Sequence, residues 1–348
     1  MIELRRVVST NTDGTTHTPT RPIHHKRLPF SVALDDSNRY NVILKAIGTG
    51  GSSHVFKALD TKLNRFVALK IVDARQMSKG DYAHVKNETQ ILKLLEHPNV
   101  IQMLDCFELM ELPEQLSRVI QLTPKDIVVN HPLNIKNSSI PDLQRKPFSV
   151  IVYPLCSKGD LFEYIADKYD ADTARALSEE EAKKIFQSIC LGIEHCHSRH
   201  IAHRDIKPEN VLLDLDGVPK LADFGFALKL PFAEFKASDP VGTVRTVAPE
   251  VLTGEKYDAI KSDIWSLGLM LYFMLLGTFP YPYDDEDCVR MIDFYDALWE
   301  QTDKIPLDGE DGEFSAELHN LLPQLLTFDP TERPSIQQIL AHPWFQQK

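Results

Sequence analysis

Between Tyr40 and Ala74, apolar and polar positions alternate in short runs. YNVILKAIG, HVFKALD and RFVALKIVD are rich in β-branched and aromatic residues, and turn-forming residues separate them. A period of two predicts strands. The period then lengthens. In YAHVKNETQILKLLEH the residues Val85, Ile91, Leu92 and Leu95 share one helical face, and Pro98 follows the end. From about 108 to 147 the rhythm lapses across five prolines, which reads as a surface insertion between two strands, the second being FSVIVYPL. From Asp160 onward helical patterns dominate: GDLFEYIADKY, EEEAKKIFQSICLGIEHCHSRH, SDIWSLGLMLYFMLLG and two or three more. A strand-rich part followed by a larger helix-rich part predicts two lobes with a cleft between them.

The 348 residues suffice for such a bilobal unit. Residues 1–39 lack apolar periodicity and read as a flexible leader. The net charge of −12 excludes a general nucleic-acid binder, which needs excess Lys and Arg. Twelve acids crowd Asp284 to Glu313 against Arg290 and Lys304, as on a solvated, loop-rich face. Cysteines 106, 156, 190, 196 and 288 are odd in number and form no Cys-x-x-Cys pair, which points to a reduced, intracellular and cytoplasmic setting. The uncharged run from Ile264 to Tyr283 is cut by Gly277, Pro280 and Pro282 to a helix of about 14 residues. A buried core helix fits that length, and no membrane segment is expected.

The candidate chemistry lies in HRDIKPENVLLD, His203 to Asp214. Asp205 can orient a hydroxyl and accept its proton, Lys207 can neutralise charge on a transferring group, and the Asn210 amide oxygen can ligate a divalent cation. Asp223, in DFG, is a second hard oxygen ligand. Lys70 ends VALK on a predicted strand, and Glu88, on the following helix, can serve as its counter-charge. IGTGGSSHV, residues 47–55, is either a plain turn or a phosphate cradle. A nucleotide-hydrolysing P-loop is excluded, because no Gly-x-x-x-x-Gly-Lys-Ser/Thr occurs.

In this order and spacing the motifs resemble the eukaryotic protein kinases, of serine/threonine type, over residues 40–345. The resemblance implies an α+β, bilobal protein kinase fold: a small antiparallel β-sheet lobe with one helix (40–156, carrying the insertion), a larger, mainly helical lobe (157–345), and a tail at 346–348. It implies transfer of the γ-phosphoryl group of ATP, with Mg2+, to Ser/Thr hydroxyls of protein substrates; the alternative is a pseudokinase scaffold. Asp205 resembles the catalytic base, Lys207 its charge partner, and Asn210 and Asp223 the magnesium ligands. Lys70, paired to Glu88, resembles the lysine on the α- and β-phosphates. Ile47, Gly48, Thr49, Gly50, Gly51, Ser52, Ser53, His54 and Val55 resemble the nucleotide-covering loop, with Ser53 where a third glycine is usual. Ala68, Tyr153, Cys156 and Asp160 fall where the family surrounds adenine and ribose. GDLFEYI and ILAHPWF lean toward the calcium/calmodulin-dependent kinase group, although no autoinhibitory or calmodulin-binding tail is expected after Phe345.

Further positions follow from the same resemblance. Glu250 of APE is expected to pair with Arg333, and Asp263 to anchor the catalytic loop. In the activation segment Thr243 fits the threonine that helps position the catalytic Asp, while Thr246 stands where Tyr is usual. Asp239 occupies a position where relatives carry a phosphorylatable Thr. Either its carboxylate pairs with Arg204 in place of phosphate, or Asp239 is solvated and Ser238 is the modified site. Asp160 and Glu209 match acids that meet an Arg upstream of the target residue; Asp160 serves equally well as a ribose ligand. Of His195, His197, His200 and His203, the family accounts for His197 at the helix end and His203 as a packed part of the catalytic loop, which leaves little for a zinc site.

Overall fold

The computed structural model describes residues 31–50, 52–122, 147–280 and 314–346. The small lobe is a six-stranded antiparallel sheet of order β1-β2-β3-β4-β6-β5. Its strands are β1 (Ser31–Ala33), β2 (Tyr40–Thr49), β3 (Ser53–Asp60), β4 (Arg65–Asp73), β5 (Asp105–Leu109) and β6 (Phe148–Pro154). Alternation assigns each side chain to a face. In β4, Val67, Leu69 and Ile71 join an outer cluster with Val42, Phe56, Val150 and Val152. Ala68 and Val72 face the other way, into the core shared with the large lobe, together with Ile151 and Tyr153 of β6. Lys70 therefore emerges on the inner face because it lies two residues from each of Ala68 and Val72.

Helix α1 (Lys79–Leu92) covers that inner face. The Ser78 side chain caps it by accepting from the Asp81 N–H at 3.1 Å. Val85, Glu88, Ile91 and Leu92 are its buried residues, so Glu88 lies on the core-facing side. The helix stops at Leu92, short of the His97 that periodicity suggests, although Leu95 beyond it is still buried.

Two expected boundaries are corrected. The leader does not extend to residue 39: Ser31, Val32 and Ala33 pair with Ile43, Val42 and Asn41, and Leu34 is buried in the outer cluster. Residues 1–30 of the expected leader lie outside the described residues. The insertion, expected from about residue 108, begins after Leu109 and carries a helix of its own. β5 runs to Leu109, and helix α2 (Glu114–Leu122) follows. Leu112, Leu116, Val119 and Ile120 lie against the outer sheet face at helical spacing. The pattern is short and flanked by Pro113, which obscured it in the sequence. Residues 123–146, the acidic stretch 284–313 and the tail residues 347–348 lie outside the described residues.

In the large lobe α3 (Leu161–Lys168) and α4 (Glu179–His197) precede the short strands β7 (Ile201–Ala202), β8 (Val211–Leu213), β9 (Pro219–Leu221) and β10 (Leu228–Lys229). Then come α5 (Pro249–Leu252), α6 (Ala259–Leu276), α7 (Ala316–Leu325) and α8 (Ile336–Leu340). Beyond its first turns, which carry Lys261, Ser262 and Asp263, helix α6 is almost wholly apolar, and it is the core of the lobe. It is long and apolar enough to cross a membrane by composition, yet most of it is buried inside the protein. Gly277 ends it at φ 65°, and a Cβ there would come within 2.4 Å of the Tyr169 ring. The architecture is α+β and bilobal.

Candidate active site

Asp263 on α6 organises the site from below. Its Oδ2 accepts the His203 N–H and its Oδ1 the Arg204 N–H, both at 2.8 Å, and His197 Nε2 lies 2.8 Å from Oδ2. A carboxylate on the most buried helix thus fixes the loop that carries Asp205. Arg204 (φ 66°) and Asp223 (φ 59°) both adopt the left-handed region, which is costly for residues with a Cβ and is held here by the surrounding bonds.

The carboxylate of Asp205 gathers four partners. Oδ1 accepts from the Thr243 N–H at 3.0 Å and the Thr243 hydroxyl at 2.7 Å. Oδ2 accepts from Asn210 Nδ2 at 2.9 Å and lies 3.1 Å from Lys207 Nζ. Lys207 also donates to the Thr243 Oγ1 at 2.7 Å. Burial pushes the Asp205 carboxyl up, but Lys207 and the Thr243 hydrogen bond outweigh it, and the net shift is below the ordinary value. Thr243 reaches this position because Gly242, at φ 111°, lets the chain pass the Arg204 carbonyl; a Cβ there would meet that oxygen at 2.6 Å.

Across the cleft Lys70 Nζ lies 2.7 Å from Glu88 Oε2. Burial lowers the Lys70 affinity for its proton, and the charges of Glu88 and Asp223 more than restore it, so the ammonium persists. The Asp223 effect also brings that carboxylate into the field of Lys70. With the Asn210 nitrogen committed to Asp205, its amide oxygen is the atom left for a cation. An exposed carboxylate and one amide oxygen suit Mg2+, which takes few protein ligands and completes its shell with phosphate and water.

The loop between β2 and β3 closes where Gly50 N donates to the Ser53 carbonyl at 2.8 Å. Ser53 opens β3 opposite Val72, with its Oγ 3.1 Å from where a Gly50 Cβ would lie. His54 pairs with Thr49, Val55 with Gly48, and the Ser52 carbonyl accepts from Asp73 N, while Ile47 is exposed. Gly51 lies outside the described residues. Ala68 and Tyr153 pair across β4 and β6. Cys156 follows, half-buried, with burial and Asp214 pushing its thiol up to about 11. Asp160 caps α3 by accepting from Glu163 N at 2.9 Å, and burial raises its carboxyl.

Glu250 and Arg333 meet in a two-pronged pair at 2.6 and 2.8 Å. Asp239 Oδ1 lies 2.9 Å from Arg204 Nη1, and Ser238 is exposed. Sequence reasoning missed four contacts. Asn87 Nδ2 donates to the Ala227 carbonyl at 2.7 Å and the Gly225 carbonyl at 3.2 Å, and His84 Nδ1 lies 3.2 Å from the Gly225 oxygen, so α1 is stapled to the segment after Asp223. The Tyr153 hydroxyl reaches Glu88. Nothing in a single chain signals partners so far apart.

Residues 41–345 match the family model described as the protein kinase domain. The chain belongs to that family. Among curated relatives, this kinase domain is 32% identical to the serine/threonine protein kinase OSK3 of Oryza sativa over 303 residues, covering 87% of the chain and 49% of the relative. It is 32% identical to the SNF1-like protein kinase ssp2 of Schizosaccharomyces pombe (87% and 44%). It is also 32% identical to the SNF1-related protein kinase catalytic subunit alpha KIN12 of Arabidopsis thaliana (86% and 50%). The chain spans about half the length of the curated relatives it matches.

Proposed function

We propose that the protein is a serine/threonine kinase that transfers the γ-phosphoryl group of Mg-ATP to hydroxyls of protein substrates. The carrying observation is the Asp205–Thr243–Lys207 triangle, with Asn210 on the second carboxylate oxygen. Asp205, kept ionised, orients the attacking hydroxyl and takes its proton. Lys207 faces the charge that builds on the transferred group, and Lys70, steadied by Glu88, holds the α- and β-phosphates. Asn210 and Asp223 would hold magnesium, which supplies neutralisation of the phosphate charge when bound. The loop from Ile47 to Val55 covers the nucleotide, and Ala68, Cys156 and Asp160 border its base and ribose. Transfer of labelled phosphate to a mixed protein substrate tests the reading: wild type should label it, and Asp205→Asn should lose at least about 100-fold. Equal labelling by the two proteins would overturn it.

Asp239 takes part of the role that a phosphate has in relatives. Its ion pair with the largely buried Arg204 supports this, and it offers one charge where phosphate offers nearly two. Phosphatase-treated protein should keep its activity and lose severalfold on Asp239→Asn; full dependence on Ser238 would refute the mimicry. Substrates are expected to carry a basic residue about three positions before the target. Glu209, exposed beside the catalytic loop, is the better reader, because the Asp160 carboxylate already serves α3. A peptide array without upstream Arg preference would remove this point. Within the family, the lean toward the calcium/calmodulin-dependent group rests on GDLFEYI and ILAHPWF, while the relatives above carry SNF1-related names. The free thiols Cys106, Cys156, Cys190 and Cys196 support an intracellular, cytoplasmic setting.

A further inference from the structure

Each carboxylate oxygen of Glu88 meets a different partner. Oε2 takes the Lys70 ammonium at 2.7 Å, and Oε1 accepts the Tyr153 hydroxyl at the same distance. The three side chains come from β4, α1 and β6. Glu88 is 3% exposed, so water cannot serve the second oxygen. An ammonium with three rotatable donors attracts a carboxylate without fixing its rotation, whereas a phenol hydroxyl in a packed ring bonds in one direction. The ring is fixed in turn, because Tyr153 pairs with Ala68 across the sheet and is itself buried. Burial and the Glu88 charge push its hydroxyl well above the usual value, so it remains a donor throughout the working range of pH.

We propose that Tyr153 is a positioning residue: its hydroxyl sets the rotation of the Glu88 carboxylate, latches α1 to β6, and so aims Lys70 at the nucleotide phosphates. This rests on the kinase reading above, and it assigns the hydroxyl to Glu88 instead of to the nucleotide that sequence resemblance suggested for this position. A different origin of the effect, direct contact between ring and nucleotide, makes a different prediction.

The test is a double-mutant cycle in the full chain, using Tyr153→Phe, Glu88→Ala and the combination. The readouts are kcat, KM for ATP, KM for a protein substrate, and Kd for Mg-ATP measured by calorimetry. Tyr153→Phe should raise KM and Kd for the nucleotide about tenfold, as for loss of a buried hydrogen bond to a charge, and leave KM for the protein substrate unchanged. On the Glu88→Ala background the same change should have no further effect. A nucleotide KM and Kd within twofold of wild type would overturn the proposal, as would an equal tenfold loss in both backgrounds. Should Tyr153→Phe fail to fold, Tyr153→Met, which also lacks the donor, takes its place in the cycle, and the same outcomes support or overturn the proposal. Wild type that binds Mg-ATP and transfers no phosphate would refute the kinase reading, while the binding arm of the cycle would still decide the role of Tyr153.

Discussion

The carboxyl of Asp205 is held below its ordinary value although burial alone would raise it, and the Lys207 charge is the largest opposing influence. A carboxyl depressed on folding contributes stability above its unfolded pKa and loses it as pH falls through the folded one. The Asp205 carboxyl therefore holds its charge further into acid than an ordinary carboxyl, and if it is the base, the acid limb of kcat should lie below the normal carboxylate range. Lys207→Met removes the largest influence opposing burial and leaves the Thr243 hydrogen bond to oppose it, so that limb should move upward along with a fall in kcat; a kcat–pH profile measures both. Cys156 gives the converse case. With burial holding its thiol up to about 11, alkylation by iodoacetamide should be slow at pH 7.5 and accelerate roughly tenfold per pH unit toward that value. Fast labelling at neutral pH would contradict the burial.

At the scale of elements, what was legible in the sequence depended on how far a signal had to reach. β4 and α1 declare themselves through periods of two and 3.6, and those periods are also why Lys70 and Glu88 face each other. The strand at Ser31–Ala33 is three residues long, too short for a period, and exists through its pairing with β2. Helix α2 had the spacing but sat among prolines. The Asn87 staple joins residues 138 and 140 positions apart through backbone carbonyls, which have no sequence signature at all. The order of the chemical motifs was legible because each is local, whereas the Tyr153 bond was not. For α2 the packing carries a number. Leu116 is fully buried against the outer sheet face, so Leu116→Ala should destabilise the protein by about 2–4 kcal/mol in denaturant unfolding. The residues proposed for catalysis are on the other side of the sheet, so kcat of the folded fraction should stay near wild type. A change below about 0.5 kcal/mol would mean that α2 does not pack there.

At the scale of the whole molecule, Arg333 joins segments that are far apart in the chain. All five of its N–H donors are used: Nε on the Thr327 carbonyl, Nη1 on Glu250 and the Lys261 carbonyl, and Nη2 on Glu250 and the Phe328 carbonyl. Its Cζ also lies 5.1 Å from the Trp265 ring centroid. The end of the activation segment, the start of α6 and the loop after α7 are thereby held on one guanidinium with no exposed side-chain surface. Such a pair adds little over an apolar replacement, but removing one member strands the rest. Arg333→Ala strips Glu250 of its two-pronged partner and removes the guanidinium bonds to three carbonyls, and should cost about 3–5 kcal/mol by chemical denaturation. Arg333→Lys keeps the charge but loses the fork, and should recover only part of that loss. Glu250→Gln keeps an acceptor for one prong, so it should cost less than Arg333→Ala. The segment from Thr243 to Glu250 hangs from the same anchor, so each loss should be accompanied by lower kcat. Destabilisation by Arg333→Ala with kcat intact in the folded fraction would separate the anchor from the placement of Thr243 against Asp205.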